Sequence, residues 1–308
     1  MSNIVSKKNV IYTSYGFGRN SSDFGHFENR EWAKIQKKKI KEYCQRHNIQ
    51  LKVIDYDNKY MKSILKNFDR EKSEWEKLHE TYTLSAIAAI YDFAESENEN
   101  VNFFWMHLDM AINQMYKNIF DFMNLKNNEI YCYVSILNKD TYPRRNKDNE
   151  IELIHWDKIK LSWLDGLCKK SNLDVDVFDK DFIICNCSII TMNKTAAKTF
   201  VNILNNCCNI FDDNFTLSHP IIEETILELV ELESRRTKTD FTLKCPMSFL
   251  KPEFTVHSPF SHYPTYQNSK NPNLTFVHFP LKENKHKIVN FYQTKDNHET
   301  NNNSIRSK

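Results

Sequence analysis

The sequence is poor in glycine, and its few glycines are clustered. Only four of the 308 residues are glycine, and Gly16, Gly18 and Gly25 fall in one short segment. Glycine is needed where the backbone adopts a positive φ angle or where a ligand approaches the chain closely. The clustering marks the segment after the first predicted strand as a candidate ligand-binding loop. Gly16-Phe17-Gly18 lacks the third glycine of G-x-G-x-x-G, which disfavours a dinucleotide-binding loop of that type.

Long apolar runs and a large excess of one charge are also absent. No window reaches the roughly 18 apolar residues that a membrane helix requires, and the start MSNIVSKKNVIYTS has no apolar signal region. The 42 basic and 40 acidic residues give a formal charge of +2, which predicts neither an overall nucleic-acid surface nor a membrane surface. We expect a cytoplasmic protein, in the host cytoplasm if the Lys- and Asn-rich, virus-like composition reflects a viral genome.

The eight cysteines do not form a familiar zinc motif. Cys185 and Cys187 are followed by adjacent Cys207 and Cys208, whose side chains would point apart on a helix, and no pair of C-x-x-C knuckles is present. We interpret the cysteines as reduced, mostly buried thiols. A metal–thiolate site is left as an alternative.

The order of the apolar patterns predicts an α/β fold in a single domain. A strand at 9–15, a helix at about 28–47 and a strand at 51–56 form a β–loop–α–β unit, which is typical of a parallel sheet with right-handed crossovers. We expect one domain over 1–295, with a mostly parallel central sheet flanked by helices. A disordered tail is expected at 296–308.

Further elements are predicted along the rest of the chain. Helices are expected from Trp75 to Phe93, near 113–123, at 161–170, from Ala196 and from Ser218, and strands at 101–112, 130–136, 181–192 and 273–280. The polar segment 138–150 is expected to be a mobile loop, and 235–273 is expected to be irregular.

The run from Val101 to Ile112 carries the most information about function. It reads as one buried strand whose apolar wall is broken by His107 and Asp109, which on an extended backbone project to the same side. A buried carboxylate costs several kcal/mol unless a cationic group compensates it. A divalent metal ion carrying a diphosphate is one such group.

Five short motifs, in order, resemble those of the GT-A-fold glycosyltransferases. The resemblance is to the galactosyl-, mannosyl- and xylosyltransferases in which a Trp-x-Lys helix precedes a W-L-D-x-D strand. The motifs are Trp75-Glu76-Lys77, Phe104 to Asp109, Cys185 to Asn193 (similar to N-x-G-x-F-x-I-R-N), Glu223-Glu224 (E-Q) and Phe276 to Pro280 (V-H-F-x-G). The sequence departs from the family where His107 replaces the first Asp, where Cys187 and Ser188 replace small residues and Gly, and where Leu281 replaces the final Gly.

The resemblance implies a glycosyltransferase that moves a sugar from a UDP- or GDP-sugar to an acceptor hydroxyl, with retaining stereochemistry favoured. It implies Mn²⁺ or Mg²⁺ held by Asp109 and His278. The residues implied to bind the donor are Lys77, His107, Lys282 and Lys285, and those implied to act on the transferred sugar or the acceptor are Asn186, Glu223 and Glu224. Thr13, Ser14, Tyr15 and Gly16 are expected to bind the donor as well, because they lie at the carboxyl end of the first strand, where open α/β sheets bind ligands.

Several alternatives stay open at the level of sequence. The acceptor could be a protein, a glycan, a small molecule or a hydroxymethylated base in DNA. The His107 substitution motivates a catalytically decayed nucleotide-binding or interaction protein on the same fold. A nucleotidyltransferase is disfavoured because 14–27 has no lysine. Glu223 and Glu224 could simply favour a helix dipole, and Lys37, Lys38, Lys39 and Lys41 read most simply as solvated charge on an amphipathic helix.

Overall fold

The structure is a computed structural model of the chain. It describes residues 9–14, 30–54, 59–60, 74–96, 100–135, 143–145, 151–153, 164–166, 168–169, 174, 184–207, 222–244, 276–279 and 287–294. The helices are α1 (Glu31–Arg46), α2 (Glu74–Glu95), α3 (Lys194–Cys207), α4 (Ile222–Thr237), α5 (287–294) and a 3₁₀ turn at Ile119–Phe122. The strands are β1 (Val10–Ser14), β2 (Gln50–Ile54), β3 (Asn102–Met106), β4 (Met110–Ile112), β5 (Glu129–Ser135), β6 (Pro143–Arg145), β7 (Ile151–Leu153), β8 (Ile184–Asn193), β9 (Thr242–Lys244) and β10 (Phe276–His278).

The central sheet has six strands in the order β2-β1-β3-β8-β5-β9. β2, β1 and β3 are mutually parallel, and β5 pairs in parallel with β9. β8 is antiparallel to both of its neighbours, β3 and β5, so the other five strands point the same way. This confirms the predicted fold class, an α/β architecture with a mostly parallel central sheet flanked by helices.

Both faces of the central sheet are covered. Along β3, Phe103 and Trp105 pack into a core formed mainly with α2, α3 and α4, whereas Phe104 and Met106 pack into a second core with α1, α5, β4 and β10. Successive side chains of a strand point to opposite faces. Burial on both faces explains why β3 reads as a continuous apolar run rather than an alternating one.

The buried lysine Lys194 connects α2 to α3. Its ammonium donates to the carbonyl oxygens of Phe93 and Ser96 and, at 2.7 Å, to the Ser96 hydroxyl. These carbonyls lie at the end of α2, where the helix leaves them without intrahelical partners and where a positive charge is favourable. At the start of α3, Asn193 Oδ1 accepts the Ala196 N–H at 2.9 Å. Lys194 therefore caps the end of α2, and its neighbour Asn193 caps the start of α3.

The predicted single strand at 101–112 is wrong. β3 ends at Met106, and the Met110 N–H donates to the His107 carbonyl at 3.1 Å, which closes a turn. The chain then continues as β4, which leaves the central sheet and pairs with β10. His107 and Asp109 therefore lie in a turn between two strands and not on one face of a strand.

The predicted helix near 113–123 is also wrong, because the structure has only the 3₁₀ turn at Ile119–Phe122. Here a side chain of α1 satisfies the backbone. The Tyr43 hydroxyl accepts the Ile119 N–H at 2.9 Å and donates to the Lys117 carbonyl at 2.7 Å. These backbone groups need no helix to be satisfied.

Three further expectations need correction. The segment 138–150 contains β6, which pairs with β7. The segment expected to be irregular begins with the end of α4 and includes β9. The helix α5 was not predicted. The boundary at 295 and the tail at 296–308 lie outside the described residues, and among the described helices none is long and apolar enough to cross a membrane.

Candidate functional site

Three strand ends meet at one edge of the central sheet. Tyr12 of β1 pairs with Trp105 of β3, so Ser14 and His107 each lie two residues beyond this pair. On the other side of β3, Met106 pairs with Ile189 of the antiparallel β8, so the first half of β8 lies at the same edge. Open α/β sheets bind ligands at the carboxyl ends of their parallel strands, and we call this edge the candidate edge.

Backbone hydrogen bonds fasten the turn that carries His107 and Asp109 on both sides. The His107 N–H donates to the Ser188 carbonyl at 3.1 Å, which ties the turn to β8. The Phe279 N–H donates to the Asp109 carbonyl at 2.9 Å, and His278 pairs with Met110. The structure thus brings Asp109 and His278 onto neighbouring segments, as the predicted metal site requires, although the side chain of His278 is not described.

The half-buried imidazole of His107 lies beside the buried carboxylate of Asp109. Asp109 has 7% and His107 has 19% of its side chain exposed, and His107 Nδ1 lies 3.9 Å from Asp109 Oδ1. The edge of Trp105 packs against the His107 ring with the two planes at 90°. A carboxylate at this depth needs compensating interactions.

The pair offers two groups that can bind a divalent cation. A separation of 3.9 Å exceeds a hydrogen bond, and it also exceeds the roughly 3.0–3.3 Å between neighbouring ligands of an octahedral ion with bonds of about 2.1–2.3 Å, so the two side chains would have to move closer to share one ion. Carboxylate oxygen suits Mg²⁺ and Mn²⁺ well, and imidazole suits softer ions. Within the described ranges no group of three or more His, Cys, Asp or Glu residues could hold a metal. A metal here would need further oxygen ligands, such as substrate phosphates.

A bulge in β8 lies next to this pair. Cys132 of β5 pairs with Ile190, but the next residue, Tyr133, pairs with Asn186, so residues 187–189 have no counterpart on β5. The buried indole N–H of Trp105 donates to the Cys187 carbonyl at 3.0 Å within this bulge. Bulges are common beside active sites, where they redirect side chains. The anchoring role of Trp105 was not predicted, although a Trp in a buried strand needs an acceptor for its N–H.

A buried polar network fixes β4 behind Asp109. Gln36 of α1 donates its Nε2–H to the Met110 carbonyl. The hydroxyl of Tyr292 in α5 donates to Gln36 Oε1 at 2.7 Å and accepts the Ile112 N–H at 2.8 Å. Sequence reasoning missed both side chains. The available signal was Gln36, a polar residue on the apolar stripe of α1.

At the end of β1, Thr13 has no exposed surface and Ser14 has 5%. Thr13 Oγ1 makes no hydrogen bond within the described part of the chain, which makes it a candidate ligand contact. The neighbouring Tyr12 hydroxyl donates to Asp92 at 2.6 Å. Burial and then this hydrogen bond raise the pKa of Tyr12 above its usual value, so this hydroxyl stays protonated and serves the fold.

The other predicted site residues are placed only in part. Asn186 lies in the first half of β8, opposite Tyr133. Glu223 and Glu224 lie in the first turn of α4. This helix ends just before β9, and β9 begins at the strand ends opposite the candidate edge. The start of α4 therefore points towards the candidate edge. Their side chains, and that of Lys77 in the first turn of α2, are not described. Tyr15, Gly16, Lys282 and Lys285 lie outside the described ranges.

Ten chains of solved structures are similar to this chain, two glycosyltransferases among them. No protein-family model matches the chain, and no curated protein matches it. It is similar to the crystal structure of a glycosyltransferase involved in the glycosylation of the major capsid of PBCV-1, with 14% identity, 92% of this chain and 99% of that chain covered, and a TM-score of 0.46. It is also similar to the apo structure of the bifunctional glycosyltransferase WbbM, with 10% identity and a TM-score of 0.44. That match covers 92% of this chain but only 47% of the WbbM chain.

Proposed function

We propose that the chain is a metal-dependent glycosyltransferase that moves a sugar from a UDP- or GDP-sugar to an acceptor hydroxyl. The observation that carries the proposal is the buried carboxylate of Asp109 at the candidate edge, with the half-buried imidazole of His107 3.9 Å away. The order of motifs that resembles the GT-A-fold enzymes supports it. The convergence of Thr13, Ser14 and the turn at 107–109 on one sheet edge supports it as well.

In this proposal Asp109 holds Mn²⁺ or Mg²⁺, with His107 or His278 as a second protein ligand. The metal supplies positive charge that offsets the charge developing on the leaving diphosphate. Lys77, Lys282 and Lys285 add positive charge to the same diphosphate. Because oxygen ligands suit these ions better than imidazole does, His107 makes the site weaker than one with two carboxylates.

The remaining residues position the two substrates. Thr13 and Ser14 lie where β1 ends, and with Tyr15 and Gly16 they contact the nucleoside. Asn186 contacts the transferred sugar from the start of β8. Glu223 or Glu224 orients the acceptor hydroxyl from the first turn of α4. The acceptor is a protein, a glycan, a small molecule or a hydroxymethylated base in DNA, and retaining stereochemistry is the favoured outcome.

Calorimetric titration of UDP and of GDP, each with and without Mn²⁺, tests the proposal. We expect Mn²⁺ to strengthen binding of one nucleotide, and Asp109→Asn to weaken that binding at least tenfold. Asp174→Asn is the matched control, because Asp174 is exposed and far in sequence from the site. A panel of nucleotide sugars, scored for Mn²⁺-dependent hydrolysis without acceptor, then identifies the donor.

The outcomes separate the proposal from its rival. Wild-type protein that binds neither nucleotide with Mn²⁺ contradicts the proposal. Nucleotide binding that is indifferent to Mn²⁺ and to Asp109→Asn, with no hydrolysis of any donor, favours the decayed nucleotide-binding protein. The substitution His107→Asp tests the proposal in the other direction, because a second carboxylate is expected to raise the affinity for Mn²⁺ about tenfold.

A further inference from the structure

The positive charge of the chain is concentrated on α1. From Arg30 to Arg46 there are seven Lys or Arg residues and two Glu residues, a surplus of five positive charges in a chain whose formal charge is +2. The rest of the chain is therefore slightly acidic. A surplus of this size on one helix creates a local positive field that the overall charge conceals.

The basic side chains of α1 lie on one face. With about 100° between successive residues, Lys34, Lys37, Lys38 and Lys41 fall within an arc of about 100°, and Arg30 precedes them on the same side. Lys34, Lys38 and Lys41 are exposed. The opposite side of the helix carries its buried residues, which are Trp32, Ala33, Gln36, Ile40, Tyr43 and Cys44. We call Arg30, Lys34, Lys37, Lys38 and Lys41 the basic ridge.

The ion pairs that Glu42 makes on α1 are long and exposed. Glu42 lies 3.9 Å from the Lys38 ammonium, whose side chain is 76% exposed, and 3.8 Å from that of Lys39. Ion pairs of this length and exposure contribute little.

The basic ridge starts towards the candidate edge, and an exposed aromatic ring lies at the other end of α1, beside Arg46, which is about 80° round the helix axis from Lys38. α1 ends just before β2 begins at the opposite edge of the sheet, so it starts towards the candidate edge, and it is about 24 Å long. At its far end the Arg46 guanidinium carbon lies 4.3 Å from the centre of the Tyr116 ring. Tyr116 is 66% exposed, the most exposed large hydrophobic residue within the described ranges.

We propose that the basic ridge, Arg46 and Tyr116 bind single-stranded nucleic acid. Cations repeated along one helix face match the repeated charges of a phosphate backbone. An exposed Tyr beside an Arg offers a base a ring on which to stack. Such a surface binds without strong sequence preference. The inference is independent of the proposed transferase activity, since none of its residues belongs to the candidate site.

An anionic membrane fits the same surface less well. The exposed positions of α1 are Glu31, Lys34, Lys38, Lys41, Gln45 and Arg46, and none is an aromatic or aliphatic residue. Helices that lie in a membrane interface insert an apolar face, whereas the apolar face of α1 is buried in the protein. Single-stranded nucleic acid needs only the exposed cations and the exposed ring.

Fluorescence anisotropy with a labelled oligo(dT) of about 15 nucleotides tests the proposal at about 50 and 200 mM salt. We expect the triple variant Lys34→Gln, Lys38→Gln, Lys41→Gln to bind at least tenfold more weakly at the lower salt. Its slope of log affinity against log salt should be shallower by about 2, since each lost phosphate contact removes about 0.7. The control triple Lys126→Gln, Lys198→Gln, Lys238→Gln removes equal charge from exposed residues elsewhere and should change affinity less than twofold.

Substitution of Tyr116 separates stacking from simple charge attraction. Tyr116→Leu should weaken binding about tenfold, whereas Tyr116→Phe should bind as the wild type does. The proposal is overturned if the wild type does not bind the oligonucleotide at the lower salt, if both triple variants lose binding equally, or if Tyr116→Leu has no effect. Binding to phosphatidylserine vesicles without binding to the oligonucleotide would also overturn it, in favour of a membrane surface.

Discussion

Removal of one hydroxyl group from α5 tests how the candidate site is held in place. In Tyr292→Phe the ring stays, but the hydroxyl that accepts the Ile112 N–H at 2.8 Å and donates to Gln36 Oε1 at 2.7 Å is lost. Tyr292 has 3% of its surface exposed, and Ile112 and Gln36 have none. Water therefore has little access to the two groups that lose their partner.

The expected magnitude follows from the number of groups left unsatisfied. Each buried donor or acceptor without a partner costs about 1–3 kcal/mol, and partial relaxation reduces the sum. We expect the free energy of unfolding to fall by about 2–4 kcal/mol. If opening of β4 controls exchange of the Ile112 amide, a loss of about 2 kcal/mol accelerates that exchange about 30-fold.

Hydrogen-exchange mass spectrometry of a peptide that covers 108–114 measures the local effect, and urea unfolding measures the global one. Tyr116→Phe is the matched control, because it removes the same group from a residue that is 66% exposed, and it should change stability by no more than about 0.5 kcal/mol. The same Tyr292→Phe protein should also bind Mn²⁺ and nucleotide more weakly, since β4 begins directly after Asp109.

A change of less than twofold in exchange, together with unchanged unfolding, would refute this reasoning. The double variant Gln36→Met, Tyr292→Phe provides a second check. Once the hydroxyl of Tyr292 is absent, part of the role of Gln36 has already been lost. The second substitution should therefore cost less than Gln36→Met alone, with an interaction free energy of about 0.5–2 kcal/mol.

Three shorter predictions test other contacts. Trp105→Phe should speed exchange in 184–190 and lower the free energy of unfolding by about 1–3 kcal/mol, because the Cys187 carbonyl loses its donor. Lys194→Met should lower the free energy of unfolding in urea by about 2–3 kcal/mol, because the buried ammonium bonds to carbonyls at the end of α2. The control Lys198→Met, at an exposed lysine, should lower it by less than about 0.5 kcal/mol. Burial raises the pKa of Cys44 to about 12, so iodoacetamide at about pH 8 should modify it only after unfolding; modification in the native state would contradict this.

The fold class could be predicted because its signal is local and repeated. The units β1–α1–β2 and α2–β3 each show the apolar period of their own element, and both sheet faces are buried. Because β1 and β3 are parallel and β8 is antiparallel to β3, the carboxyl ends of β1 and β3 and the start of β8 lie at the same edge. The end of the first strand placed Thr13 and Ser14 at this edge, whereas the sequence placed His107 and Asp109 on one extended strand that the structure replaces with a turn.

The turn at 107–109 and the 3₁₀ turn could not be predicted in the same way. Residues 101–112 are apolar enough for one long strand, and the turn forms because Ser188 and Phe279, which are distant in sequence, take up its backbone groups. In the segment 113–123, Tyr43 bonds to the Lys117 carbonyl and the Ile119 N–H, so these two groups are satisfied without a helix. In both places tertiary hydrogen bonds outweigh the local pattern.

The bulge in β8 shows why the motif resemblance and the geometry give different kinds of support. The resemblance aligns Cys187 and Ser188 with small residues of the family strand, but it does not say that residues 187–189 bulge away from β5. Two donors from the candidate site bond to carbonyls of the bulge, the Trp105 indole N–H and the His107 N–H. Because β8 also carries Asn186, a change at Trp105 should disturb both the proposed sugar contact and the pair of His107 and Asp109. If a substitution of Trp105 altered nucleotide affinity but left the rate of hydrolysis per bound donor unchanged, the two sites would be independent, and this coupling would be disproved.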